Sequence, residues 1–165
     1  KLFILSNSQS YFKEAGIQNT RRIIVKPMPL TSFYWNILGE NKDEYVLGYK
    51  SIFYPFNEED IQVISKKDHF PIDKLKWHGK SYSKELKRFC IDFGYVISKD
   101  SSLYFFDLRF GVSTMLTSKK NREPFFGYEL KTNSSGEIIE TNPYRPKELW
   151  SDVNFNYYLN KIFSK

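Results

Sequence analysis

The strongest constraint on the fold is a pair of alternating, aromatic-rich segments in the first third of the chain. Large apolar side chains alternate with their neighbours between residues 31 and 38, and again between residues 45 and 53. A period of two is typical of β-strands, whose successive side chains point to opposite faces. The polar residues 39–43 separate the two runs, which predicts a β-hairpin. Pro27 and Pro29 precede it and predict an extended edge, because proline donates no ladder hydrogen bond.

The remaining pattern predicts more short strands and few helices. Strands are expected at residues 22–26, 61–65, 95–98 and 103–110, and a further pair at 124–131 and 137–141. No strand–helix–strand rhythm is present, which argues against a parallel, doubly wound sheet. The sequence therefore predicts an α+β fold. It consists of a mainly antiparallel β-sheet, arranged as a meander, with one packed internal helix and helices at both ends.

Three segments carry helical periodicity. The first spans residues 2–15, with Leu5, Phe12 and Ala15 expected on one face. The internal helix is expected to begin at Ser83 as N-cap and to close at Gly94. Its apolar stripe falls at i, i+3, i+4 and i+7, and consists of Leu86, Phe89, Cys90 and Phe93. The last helix is expected to be capped by Ser151 or Asp152, and its stripe is Phe155, Tyr158, Leu159, Ile162 and Phe163.

Length and composition indicate a single soluble domain over residues 1–165. Aromatic residues make up 18% of the chain, far more than disordered segments carry. No apolar run approaches the roughly 20 residues that a membrane-spanning helix needs. The one cysteine, Cys90, excludes an internal disulfide, and its place on the helical stripe favours a buried, inert thiol. Because the chain begins without Met, we expect it to be a C-terminal fragment of a longer protein.

The positive charge is concentrated in one segment. The chain has a formal net charge of +6, and residues 66–88 contain eight basic and three acidic residues. Such a segment favours phosphates, in nucleic acid or in anionic lipid headgroups. The predicted basic patch consists of Lys66, Lys67, Lys84, Lys87 and Arg88. Arginine is the preferred reader of phosphates and bases, so the predominance of lysine favours a solvated surface over nucleic-acid binding.

Few residues have the spacing that catalysis or metal binding requires. His69 and His78 are nine positions apart and no Cys-x-x-Cys is present, so we expect no metal site or other cofactor within this chain. The main polar signal is Asp107 and Arg109, which share a face if residues 103–110 form one strand. They are expected to form either a structural ion pair or a ligand clamp. Arg145, between two prolines, is expected to anchor a loop or to contribute to a ligand site.

Three motifs resemble one known family. The chain has a P-x-P…W strand (Pro27, Pro29, Trp35), a second strand with Tyr45, Gly48, Tyr49 and Ser51, and a D-x-R-F motif (Asp107, Arg109, Phe110). Over residues 1–130, this pattern is similar to the C-terminal soluble part of bacterial membrane-bound metal-dependent hydrolases. The resemblance implies that the parent protein carries transmembrane helices first. It also implies that any divalent-metal ligands lie in that membrane portion, so none can be assigned to a residue here.

The resemblance leads to a first hypothesis for function. It implies an extramembrane accessory domain on the cytoplasmic side of the inner membrane, with a regulatory, partner-recruiting or substrate-recruiting role and without a complete catalytic site of its own. Its partners would be its own membrane domain and an anionic membrane surface.

Two alternatives stay open at this point. In one, the domain is itself catalytic or ligand-binding, and its site residues are Asp107, Arg109, Trp35, Tyr49 and Arg145. In the other, residues 66–88 bind anionic lipid or nucleic acid.

Overall fold

The computed structural model describes residues 2–14, 16–55, 60–67, 69–99, 102–112, 124–144 and 154–163. Their secondary structure consists of eight strands in two antiparallel four-stranded sheets, together with three α-helices. The predicted α+β class and the antiparallel meander are therefore confirmed. The chain divides into two compact units. The first contains the described residues up to 67 and from 154 onward, and the second contains the described residues from 69 to 144.

The first unit contains the predicted hairpin. Its elements are α1 (Leu2–Glu14), β1 (Arg21–Pro27), β2 (Tyr34–Glu40), β3 (Glu44–Ser51), β4 (Ile61–Ser65) and α3 (Phe155–Phe163). The sheet order is β1-β2-β3-β4, so each strand pairs with its neighbour in sequence. Asn41 fixes the turn between β2 and β3, because its side-chain oxygen accepts hydrogen bonds from the backbone N–H groups of Asp43 (2.9 Å) and Glu44 (2.7 Å).

Two helices pack on opposite faces of the first sheet. On one face, α1 contributes Ile4 and Phe12 to a core with Val25, Trp35, Ile37 and Val46 of the strands. On the other face, the ring of Tyr158 in α3 lies 6.1 Å from the ring of Tyr34. The Ser51 hydroxyl donates to the carbonyl oxygen of Ile162 in α3 over 2.7 Å. Residues 34–39 and 45–51 are all buried, because both faces of β2 and β3 are covered.

The face of α1 differs from the prediction. Leu5 is 40% exposed, and the buried residues are Ile4, Ser8 and Phe12 at i, i+4 and i+8. Ser8 can be buried in this position because its hydroxyl donates to the carbonyl oxygen of Leu5 over 2.7 Å. Ala15, the third residue of the predicted face, lies outside the described residues.

The second unit is a meander with one helix. Its elements are α2 (Ser83–Cys90), β5 (Gly94–Lys99), β6 (Ser102–Asp107), β7 (Gly127–Thr132) and β8 (Ile138–Pro143), in the sheet order β5-β6-β7-β8. A 3₁₀ turn at Ile72–Lys74 precedes α2. One core joins Ile72, Leu75 and Cys90 to the sheet residues Val96, Phe105, Leu130 and Ile138.

Both ends of α2 differ from the prediction. Ser83 is its first residue, and its hydroxyl makes no cap but accepts a hydrogen bond from the indole N–H of Trp77. The helix ends at Cys90, where Ile91 and Asp92 adopt left-handed backbone angles with φ of 52° and 60°. Gly94 therefore begins β5 and does not close the helix. Phe89, expected in the buried stripe, is 52% exposed.

The C-terminal helix is confirmed, with a different cap. It begins at Phe155, and the side-chain oxygen of Asn154 accepts from the backbone N–H of Tyr157 over 2.9 Å, as N-caps do. Tyr158 and Ile162 of the predicted stripe are buried. Ser151 and Asp152, the expected caps, lie outside the described residues. Within the part of the chain that the structure describes, no helix is long and apolar enough to cross a membrane.

Candidate functional site

Asp107 and Arg109 form a two-pronged ion pair at the end of β6. Arg109 Nε lies 2.9 Å from Asp107 Oδ1, and Arg109 Nη2 lies 2.6 Å from Oδ2. The prediction that they lie on one strand was wrong, since β6 ends at Asp107 and Leu108–Phe110 form a 3₁₀ turn. Asp107 ends the strand because its Oδ1 accepts from the backbone N–H of Arg109 over 3.0 Å.

Within the ion pair, each charged group already has the other as its hydrogen-bonding partner. Asp107 is fully buried, and both of its carboxylate oxygens accept from Arg109. The hydrogen bonds to Asp107 raise the pKa of Arg109 above its ordinary value. The guanidinium also lies over the ring of Phe89, 5.2 Å from its centroid. This geometry suits a structural role, because a ligand would have to displace a buried partner that costs several kcal/mol to lose.

Trp35 and Tyr49 belong to the first unit and point to opposite faces of its sheet. Trp35 lies opposite Lys50 and Tyr49 lies opposite Asn36 in the β2–β3 ladder, so the two side chains cannot line one pocket. The indole N–H of Trp35 donates to the carbonyl oxygen of Ser32 over 2.8 Å, and the ring of Tyr49 stacks on Tyr34 at 6.0 Å. Both residues are buried and act in packing. Arg145 lies outside the described residues.

The predicted basic patch is divided between the two units. Lys66 and Lys67 follow β4 in the first unit, whereas Lys84, Lys87 and Arg88 lie on α2 in the second. Among the ion pairs between described residues, two of these five side chains are engaged by carboxylates. Lys66 Nζ lies 2.7 Å from Glu40 Oε2, and Lys87 pairs with Asp73.

A groove of about 660 Å³ opens in the second unit between α2 and strands β7 and β8. Its volume is in the range of small-molecule sites, which is roughly 300–1,000 Å³. The buried side chains of Phe105, Leu130 and Ile138 line it. The other described residues that line it are Trp77, His78, Tyr82, Glu85, Leu86, Phe89, Tyr128, Ile139, Glu140 and Thr141.

The aromatic wall of the groove is held by hydrogen bonds. The backbone of residues 76–78 joins the edge of β8, with Ile138 N donating to Lys76 O (2.7 Å) and His78 N donating to Ile138 O (3.0 Å). The indole N–H of Trp77 donates to the Ser83 hydroxyl over 2.9 Å. The ring of Tyr82 then meets Trp77 edge-on, with 5.4 Å between centroids. Fixed rings of this kind provide apolar contact area with little entropy left to lose.

The rim of the groove carries acidic groups. Glu85 is on α2, and Glu140 on β8 pairs with Lys131 at 3.2 Å. His78 Nδ1 lies 3.2 Å from Glu137 Oε2. Hydrogen bonds from Asn133 and then from His78 lower the pKa of Glu137, so this carboxyl is ionised at neutral pH.

The part of the chain that the structure describes contains no group of three or more His, Cys, Asp or Glu side chains that could hold a metal ion. Cys90 is fully buried, and burial, followed by the nearby charge of Asp107, raises the pKa of its thiol. A raised pKa lowers the thiolate fraction and therefore the reactivity of the sulfur.

The prediction did not include the groove, although one signal for it is present in the sequence. Tyr82, just before α2, is spaced i, i+4 and i+7 with Leu86 and Phe89 of the predicted apolar stripe. The opposing wall comes from residues 128–141, at least 39 positions away. Only the folded sheet brings these segments together.

Comparisons with protein-family models, with curated proteins and with solved structures found no match. The resemblance to the membrane-bound hydrolases therefore stays a prediction.

Proposed function

We propose that this chain is the extramembrane accessory domain of a membrane-bound metal-dependent hydrolase, and that it recruits a ligand through the groove of its second unit. The groove is the observation that carries the recruiting role, because it combines ligand-sized volume, fixed aromatic walls and a few polar rim groups. In this proposal, the divalent metal and its ligands belong to the membrane portion of the parent protein. The domain lies on the cytoplasmic side of the inner membrane.

The Asp107–Arg109 pair supports an accessory role over a catalytic one. A catalytic carboxylate must be free to contact substrate or exchange a proton. Asp107 is fully buried, and both of its oxygens are held by Arg109. The pair also ends β6 and starts the 3₁₀ turn, so its role is to fix the backbone at this point.

Mapping of a bound aromatic probe by NMR tests the recruiting role. We expect benzyl alcohol, titrated into ¹⁵N-labelled protein, to shift amide resonances of Trp77, Leu86 and Ile139 at the groove. Ile139→Lys places a long charged side chain on an exposed lip of the groove and should abolish those shifts. Val63→Lys is the matched control, because Val63 is an exposed apolar strand residue of the first unit. Shifts that do not involve the groove, or that survive Ile139→Lys unchanged, would refute this role.

The complete reading frame tests the proposed parentage. We expect several hydrophobic spans upstream of Lys1, with His and Asp residues among them. A reading frame that begins near Lys1 would contradict the proposed parent protein and leave the groove as the basis of a free-standing binding domain.

A second proposal concerns α2. Lys84 and Arg88 are exposed and make no ion pair with any described residue, which favours contact with an anionic membrane surface. Liposomes that contain anionic lipid should bind the protein at low salt and release it as salt rises. Binding that is absent at low salt, or unchanged in a Lys84→Ala/Arg88→Ala variant, would exclude this role.

A further inference from the structure

The groove is lined by acidic residues, whereas the chain as a whole is basic. The whole sequence carries 25 Lys and Arg residues against 19 Asp and Glu residues. Among the described residues that line the groove, however, neither Lys nor Arg occurs, and Glu85 and Glu140 are both acidic. A basic protein with an acidic groove has complementary charge for a positively charged occupant.

Both carboxylates are accessible to a new partner. Glu85 is exposed and makes no ion pair within the described ranges. Glu140 pairs with Lys131, but the two side chains are 53% and 49% exposed. An ion pair between exposed groups contributes little to stability, so a ligand cation can replace Lys131 at small cost.

The aromatic residues present ring faces suited to a cation. Tyr82 and Phe89 line the groove, and each is about half exposed. Aromatic faces carry partial negative charge and attract ammonium and guanidinium groups. Phe89 already receives one cation, since the Arg109 guanidinium carbon lies 5.2 Å from its ring centroid.

From these observations we propose that the groove binds a small organic cation, with an ammonium group carried on an apolar body. The inference rests on the proposed recruiting function and adds the chemical class of the ligand. The ammonium group lies between the rim carboxylates and the rings of Tyr82 and Phe89, and the apolar body contacts Leu130 and Ile138 below. We favour a free amine over a phospholipid headgroup, because a headgroup phosphate would meet the same two carboxylates and be repelled.

Three probes of similar size and different charge test this class of ligand. Benzyltrimethylammonium, benzyl alcohol and benzoate are titrated separately into ¹⁵N-labelled protein, and the Trp77 indole and Leu86 amide resonances are followed. Cation–π and carboxylate contacts predict that the cation binds about tenfold more tightly than the alcohol. Benzoate should bind most weakly of the three.

Two sets of variants test whether the proposed residues cause the preference for the cation over the alcohol. Glu85→Gln/Glu140→Gln keeps the size of both side chains and should bring the affinity for the cation close to that for the alcohol. Glu129→Gln is the control, because Glu129 lies on β7 between Tyr128 and Leu130 and faces away from the groove. Tyr82→Leu keeps an apolar side chain but removes a ring face, so it should weaken binding of the cation several-fold more than binding of the alcohol.

The outcomes separate the ligand class from the binding function. If the alcohol or benzoate binds as tightly as the cation, the cationic class is wrong and groove binding stands. If the cation preference survives the double Glu variant, the rim carboxylates are not its cause and the inference fails. If none of the probes shifts the groove resonances, the recruiting function fails with it.

Discussion

The indole N–H of Trp77 donates to the hydroxyl of Ser83 over 2.9 Å, and this bond connects the segment before α2 to its first residue. Ser83 is buried, and its hydroxyl both satisfies the indole N–H and holds the wall of the groove in place. The bond fixes the ring against which Tyr82 packs. The shape of the groove therefore depends on a serine that does not line it.

Ser83→Ala should destabilise the protein and loosen this wall. Removal of the acceptor leaves a partly buried indole N–H unsatisfied, which costs about 1–3 kcal/mol. Chemical denaturation should show this loss in the free energy of unfolding, and the Trp77 indole resonance should shift or broaden. Ser81→Ala is the control, because Ser81 is exposed two residues earlier. Equal stability of the two variants would show that the bond contributes nothing.

Arg109→Ala should be among the most destabilising substitutions in the second unit. It leaves Asp107 charged, fully buried and without its partner, which costs about 3–5 kcal/mol. Arg88→Ala, an exposed position on α2, should cost less than about 0.5 kcal/mol.

A double replacement distinguishes a structural pair from a ligand clamp. Because an ion pair can be replaced by apolar residues of similar size, Asp107→Leu/Arg109→Met should be more stable than Arg109→Ala. This double variant should also keep the groove shifts caused by benzyl alcohol. Loss of probe binding in a correctly folded double variant would instead assign the pair to the ligand site.

This ion pair illustrates what the sequence can and cannot predict. Strand alternation correctly predicted that Asp107 and Arg109 meet, but it predicted the wrong backbone. The prediction failed because the Asp107 side chain accepts a hydrogen bond from the backbone N–H of Arg109 and ends the strand. The alternation of apolar and polar residues carries no information about such a bond. The hairpin of β2 and β3 was predicted well because alternation, polar turn and proline boundary all agree locally.

The groove depends on contacts that are distant in sequence. The spacing of Tyr82 and Phe89 is visible in the sequence, but Phe105 and Leu130 join them only through the pairing of β6 with β7. Trp35 and Tyr49, two of the five predicted ligand-site residues, do not share a pocket for a related reason. The register of β2 and β3 places the two side chains on opposite faces, and neither residue alone specifies that register.

Gly94→Ala should overpack the core of the second unit. A Cβ at Gly94 would lie 2.7 Å from Cys90 Sγ and 2.7 Å from Phe105 Cε2. Such crowding forces side chains to shift and costs about 1–3 kcal/mol. The control is Ser98→Ala at an exposed position of the same strand. Since Phe105 also lines the groove, Gly94→Ala should shift groove resonances, and an unchanged melting temperature would contradict the packing described.

The protein should lose stability above about pH 10, where tyrosines begin to ionise in the unfolded chain. Burial raises the pKa of Tyr34 and of Tyr95, and raises that of Tyr158 to about 12. A folded pKa above the unfolded value of 10.0 gives stability that is complete below pH 10 and is lost as pH rises toward the folded pKa. Burial lowers the pKa of the Lys50 ammonium group. The contribution of Lys50 to stability therefore rises with pH until the unfolded value of 10.5 is passed.

Denaturation midpoints across alkaline pH test this expectation. Tyr158→Phe should lower stability at neutral pH, since the Tyr158 hydroxyl donates to the carbonyl oxygen of Pro29 over 2.6 Å. The same variant should show a shallower loss between pH 10 and pH 12. A profile parallel to that of the wild-type protein would exclude Tyr158 as a source of the pH dependence.

The first unit provides an internal competitor for the proposed site. Phe33, Phe53 and Phe163 are partly exposed and form an aromatic cluster, with ring centroids 5.3–6.1 Å apart. An apolar probe could bind there without any role for the groove. Its three described members are all phenylalanines, whereas Glu85 and Glu140 line the groove.

The most direct test is an isotope-filtered NOE measurement between unlabelled benzyltrimethylammonium and labelled protein. We predict contacts from the N-methyl protons to the rings of Tyr82 and Phe89, and from the phenyl protons to the methyl groups of Leu130 and Ile138. Contacts confined to Phe33, Phe53 and Phe163 would contradict the assignment of the groove as the ligand site.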